Sequence, residues 1–224
     1  MRNLLLFACL IASFSCIGQN LRSGGALRPE QAIMDIRHYT ISLNVNPSEQ
    51  TISGFTEIDL VLSSDAGKLL FDLTPLLSIK KATVNGRSVK VVHEEDRVYL
   101  SGSSPFKAGK VKVRIDYGGM PGLAKNPPWV GGFQWEKDSK GNPWVAISCQ
   151  MEGGKIFFPC KDHPSDEPNE GADLFITVPR GLYVAGPGLL EEVSHRKNES
   201  TFHWKTRYTI SNYCLVFNVG KYRV

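Results

Sequence analysis

The 224-residue chain carries 26 Lys and Arg against 22 Asp and Glu, a formal charge of +4, with 42% hydrophobic residues. A charge this mild and dispersed excludes a nucleic-acid platform, which needs clustered basic side chains. Three cysteines lie beyond the leader, Cys149, Cys160 and Cys214; an odd number excludes a disulfide-built scaffold, and the bland reading is buried thiols with no assigned pairing.

Residues 1–18 hold Arg2, an apolar run from Leu4 to Ile11 and then small residues. That order of charged, apolar and small segments predicts a signal peptide too short to span a bilayer. Cleavage after Gly18 releases a soluble protein, secreted or held in the periplasm or cell envelope. The alternative cleaves before Cys16 and acylates it, which would be the only route to a membrane. Ser13 and Phe14 fit that lipidation pattern poorly, so plain secretion is favoured. Residues 19–34 form a Gly- and Ser-containing lead-in, with one or two helical turns expected over Arg28–Asp35.

From Tyr39 the pattern has period two: Tyr39, Ile41, Leu43 and Val45 alternate with polar residues, the mark of a half-buried strand. Asn46-Pro47-Ser48-Glu49 is a turn, and Thr51 to Leu62 is the next strand. Short strands are predicted at 68–73, 79–84, 89–93, 98–100 and 111–117. Asn85-Gly86 is the strongest hairpin signal, since both residues tolerate positive φ. Gly118 to Trp144 is rich in Gly, Pro and Trp and reads as a long loop, which serves a site or an interface when it occurs in a compact domain. Its Trp129, Trp135 and Trp144 are read as anchors ahead of stacking platforms. Further strands are expected at 173–178, 183–185, 191–195, 201–205 and 213–219. The fold class is therefore all-β: mostly antiparallel strands with long loops, occupying 35–224 as one domain.

Catalytic chemistry is hard to find. His93-Glu94-Glu95-Asp96-Arg97 comes near the helical zinc motif, but its fifth residue is an arginine, which cannot ligate zinc. It reads as a charged turn. His163 stands beside Asp162 and Asp166 without a second His or Cys at ligand spacing, so turn chemistry is the better account. There is no Gly-x-Ser-x-Gly elbow or phosphate loop, and the apolar setting of Cys160 (Phe157-Phe158-Pro159) predicts an inert thiol. The sequence assigns no catalytic residue, no metal ligand and no cofactor.

The stretch Ile147–Pro168, ISCQMEGGKIFFPCKDHPSDEP, carries a resemblance. Ser148-Cys149-Gln150, followed at fixed interval by Pro159-Cys160-Lys161-Asp162-His163-Pro164, resembles the aminopeptidase N family of zinc metallopeptidases. Tyr39–Leu43 with Ile52-Ser53-Gly54, Phe175–Leu182, and Ile210–Gly220 resemble further strands of that family's first domain, so the likeness covers residues 35–224. It implies a large, saddle-like two-sheet β-sandwich that caps the substrate cleft. It also implies that Gln150 meets the free α-amine of a peptide, where many relatives have Glu. Read from its residues alone, Gln150 is equally a buried amide tying loop to sheet. The family's zinc helix lies in a catalytic domain expected beyond this chain, so zinc and that domain in cis are implied partners, not features of these residues. The alternative is a free-standing β domain that binds peptides or a protein without catalysis.

Overall fold

The computed structural model describes residues 23–223; the predicted leader and Cys16 lie outside the described residues. One short helix, α1 (Pro29–Ala32), leads into β1 (Met34–Asn46) and β2 (Thr51–Leu62). Then come β3 (Leu69–Asp72), β4 (Leu77–Val84), β5 (Arg87–Ser88), β6 (Lys90–Glu94), β7 (Arg97–Ser101) and β8 (Gly109–Gly119). The second half holds β9 (Gly132–Lys137), β10 (Pro143–Ser148), β11 (Ala172–Pro179) and β12 (Tyr183–Ala185). It ends with β13 (Leu189–His195), β14 (Glu199–Thr206) and β15 (Asn218–Gly220).

The all-β reading holds. An eight-stranded sheet in the order β13-β14-β11-β1-β2-β8-β4-β5 is joined by a four-stranded sheet, β12-β15-β10-β9, and a three-stranded one, β3-β7-β6. The second layer is thus split in two. One continuous apolar core draws side chains from all three sheets, including Ile41, Phe71, Val98, Val145 and Val219. Strand pairing is antiparallel except between β1 and β11, which run parallel with Tyr39 opposite Ala172. β1 therefore sits inside the large sheet, between β2 and a strand from the far end of the chain.

The period-two pattern of β1 is explained by burial on one face. Tyr39, Ile41, Leu43 and Val45 are fully or almost fully buried, while a β-bulge between Ile36 and His38 turns His38 outward. Asn85 (φ 49°) and Gly86 (φ 76°) make the predicted tight turn, with Val84 opposite Arg87. Asn46 Oδ1 accepts from the Ser48 and Glu49 N–H groups, closing the turn before β2.

Two segments depart from the sequence pattern. The expected loop at 118–144 contains β9 and the start of β10, paired with Val145 opposite Trp135. Its alternation of Phe133 and Trp135 with Gln134 and Glu136 is only four residues long and hidden among Gly and Pro. The expected strand at 213–219 is a 3₁₀ turn, Asn212–Cys214, followed by the three-residue β15. Leu215 and Phe217 are fully buried without a strand around them, and an apolar run alone does not distinguish these cases.

Candidate functional site

The segment from Cys149 to Pro168 crosses the ends of the sheets as a chain of turns. It is tied down by Phe157 and Phe158 in the core and by a set of buried polar groups. The backbone of Cys160 forms a two-way bridge with Asp72 at the end of β3, at 2.7 and 3.1 Å. The Tyr39 hydroxyl accepts from the Lys161 N–H at 3.1 Å, and the Tyr117 hydroxyl donates to the Phe157 carbonyl at 3.0 Å. Both tyrosines are fully buried core residues, so the sheet itself positions the segment.

Lys161 reaches back into the core, where Nζ donates to the Met34 carbonyl at 2.6 Å and to Asp166 Oδ2 at 2.7 Å. Both side chains of this ion pair are under 10% exposed. Burial pushes the Asp166 carboxyl up, and the Lys161 ammonium pulls it back. Such a pair fixes geometry more surely than it adds stability.

Asp162 is the centre of a second buried network. Its N–H donates to Asp72 Oδ2 at 3.0 Å, and its carboxylate accepts from the Ser23 hydroxyl at 2.8 Å. Burial pushes its pKa up to about 6, against the Ser23 hydrogen bond and the Lys155 charge that lower it. Lys155 Nζ sits 4.0 Å away and donates to Asp96 at 2.6 Å. Gly153 has φ +82°, and a Cβ there would stand 2.1 Å from the Asp162 carboxylate. The Gly153-Gly154 pair allows the turn to fold against that acid.

Gln150 is exposed, so the buried-amide reading is excluded. It opens on a cavity of about 340 Å³ whose wall includes Met151, Asp162, His163, Glu167, Asn212 and Tyr213. Asp166 lines it too, and no Lys or Arg does. His163 is held by its own turn: Nδ1 accepts from the Ser165 N–H at 3.1 Å, so Nε2 carries the hydrogen and donates to the Gly25 carbonyl at 3.1 Å. The lead-in residues Ser23, Gly24 and Gly25 thus form one side of the cavity, with the Gly24 N–H also donating to the Asp162 carbonyl. A neighbouring cavity of about 780 Å³ shares Gly24, Gly25 and Asp162, but its lining includes Arg28, Arg97 and Lys155.

The remaining candidates fall as their residue types suggest. His93 lies on β6 and donates from Nε2 to the Leu73 carbonyl at 3.0 Å, with a tight turn at Glu95 (φ 54°) behind it. It is part of a strand and turn, as read. Cys160 is fully buried and its thiol is raised well above its ordinary range by that burial; Cys149 is pushed up to about 12 for the same reason. Among the described residues no group of three or more His, Cys, Asp or Glu is placed to hold a metal ion. Zinc therefore has no fitting donor set among the described residues. Trp135 stacks on Phe133 at 5.2 Å as an anchor, whereas Trp129 is 71% exposed and anchors nothing.

Asp72, Lys161 and Asn212 were not singled out by sequence. Each owes its place to a contact across 40 residues or more, and no local spacing announces that.

No family model matches the chain. Over 201 residues it is 24% identical to the leukotriene A-4 hydrolase of Xenopus laevis, a match covering 83% of this chain and 31% of that protein. An M1 zinc metallopeptidase mutant of Deinococcus radiodurans, solved with a Tyr-Ser-Ala substrate, superposes with a TM-score of 0.71 at 26% identity, covering 85% of this chain and 43% of that one. The leukotriene A4 hydrolase of Saccharomyces cerevisiae superposes with a TM-score of 0.65 at 17% identity, covering 84% of this chain and 29% of that one, a likeness of fold. The chain resembles the N-terminal domain of the M1 zinc metallopeptidases, and it spans less than half the length of these relatives.

Proposed function

We propose that this chain is the substrate-capping part of a secreted zinc aminopeptidase, closing the cleft around the free N-terminus of a peptide. The observation that carries the reading is the wall around Gln150. An exposed side-chain amide opens on a cavity bordered by Asp162, Asp166 and Glu167, with no Lys or Arg. Such a lining favours a cation over a carboxylate. The family resemblance implies Glu at this position in many relatives; here Glu167 is the acid at the cavity that has no Lys or Arg ion pair among the described residues. A catalytic domain in cis would hold the zinc and would supply the hydrolytic chemistry.

Exposed apolar side chains support a partner surface. Leu76, Met120, Leu123 and Trp129 are each more than half exposed. Leu76 packs against the 119–130 segment that carries the other three: a Cβ on Gly122 would stand 3.4 Å from its side chain. Large apolar side chains exposed in this way mark an interaction surface.

The test is a paired measurement on the purified chain: aminoacyl-chromophore hydrolysis with added zinc, beside metal analysis, and binding of a free-amine tripeptide against its N-acetylated form. No turnover, no stoichiometric zinc and preference for the free amine are expected. Turnover with bound zinc, or equal binding of the acetylated peptide, overturns the reading.

A further inference from the structure

In the wall of the cavity beside Gln150 lies a second, unused acceptor, itself buried. Asn212, in the 3₁₀ turn Asn212–Cys214, is 7% exposed and lines the same cavity. Its Nδ2 donates to the Lys161 carbonyl at 2.7 Å. A carbonyl only accepts, so the amide has one possible orientation and the other atom is Oδ1. That Oδ1 is buried and has no hydrogen-bond partner among the described residues. Buried acceptors in folded chains nearly always have a donor, and one without carries its full desolvation cost.

The rest of the side chain is well fixed. Asn212 packs its Cβ where a Cβ on Gly154 would come within 3.2 Å, so the glycine turn and the 3₁₀ turn are closely apposed. Ser211, the residue before it, donates from its hydroxyl to the Glu167 carboxylate. Gln150, Asn212 and Glu167 therefore border one small volume from three separate turns.

We infer that Asn212 is a binding residue for a primary ammonium group: Oδ1 accepts one N–H of the same amine whose second N–H is accepted by Gln150. This rests on the amine-binding reading above. A primary ammonium has three donors, and two side-chain carbonyls with a nearby carboxylate match that number; an acetylated amine offers one donor and no charge. Oδ1 is shut off from solvent in the ligand-free chain, so the amine engages it after a small movement of the wall beside it.

The experiment is a side-chain amide NMR titration of the full chain with the tripeptide Tyr-Ser-Ala and, separately, its N-acetyl form. The NH₂ resonances of Gln150 and Asn212 are assigned by Gln150→Glu and Asn212→Asp. Both pairs are expected to shift with the free amine and neither with the acetylated peptide. Asn212→Ala is expected to weaken free-amine binding about tenfold, the loss of one hydrogen bond to a charged donor. A shift of Gln150 without Asn212 overturns this inference and leaves the amine reading standing. A shift of Asn212 alone supports an acceptor there and removes Gln150. Equal shifts with both peptides overturn it, and no shift at roughly 10 mM peptide, a millimolar-weak limit, overturns both. Because the titration uses the unmodified chain, its outcome does not depend on whether Asn212→Ala is stable.

Discussion

Replacing Asp162 by Asn isolates the cost of the most perturbed acid at the site. Burial raises its pKa from an ordinary 3.8 to about 6. A carboxyl raised on folding contributes stability that is fully present below its unfolded pKa and is lost as pH rises through the folded value. Between pH 4 and pH 7 the wild-type chain should therefore lose about 2–3 kcal/mol that the Asn variant does not lose. Asn keeps a carbonyl for the Ser23 hydroxyl, and any fixed cost of its NH₂ group is independent of pH. Urea unfolding of both chains at pH 4, 5, 6, 7 and 8 gives the difference directly, with the buried acid Asp166 cancelling between them. The expected result is a gap moving in favour of the variant by that amount as pH rises. Parallel stability curves from pH 4 to pH 7 would show that the carboxylate is already ionised in the acid range, and the buried network around it would need to be redrawn.

Gly153→Ala must fit a Cβ 2.1 Å from the Asp162 carboxylate at φ +82°; a loss of about 2–4 kcal/mol is expected in denaturant melts, and a loss under about 0.5 kcal/mol, the range of a neutral surface change, would sink the argument. Tyr117→Phe leaves the buried Phe157 carbonyl without its 3.0 Å donor and should cost about 1–3 kcal/mol, read by the same melts. Timed alkylation with peptide mapping should label Cys214, which is exposed, well before Cys149 and Cys160, which are buried; early labelling of Cys160 would contradict its burial. Placing a cation at the cavity mouth with Gln150→Lys should abolish free-amine peptide binding while leaving the melting curve unchanged, since Gln150 is exposed.

Much of the architecture was legible because burial on one face writes itself into the sequence. Tyr39 to Val45 and Thr51 to Leu62 show the pleat directly, and Asn85-Gly86 names its own turn. The β9–β10 hairpin was illegible because its apolar alternation spans only Phe133 to Trp135 between glycines. The run Cys214–Val219 misled for the opposite reason: Leu215 and Phe217 are buried without a strand around them. At the site, Gln150 was found through resemblance, and its exposure came only with the fold. Asn212 carried no signal, because its meaning depends on the Lys161 carbonyl, 51 residues earlier. Asp162 was legible as a turn residue, but its raised pKa comes from burial and from neighbours brought in by other strands.

The parallel pairing of β1 with β11 has a consequence for how the chain is made. Tyr39 meets Ala172 across the middle of the large sheet, so most of the chain must be synthesised before that seam can close. Until then β1 pairs on one side only, with β2, and its other edge is an open strand of thirteen residues. Such an edge is a template for pairing with other chains, and contacts this distant in sequence form late and slowly. The nascent polypeptide thus passes through a long interval in which its central strand is unprotected, and its yield will depend on what shields that edge until β11 arrives.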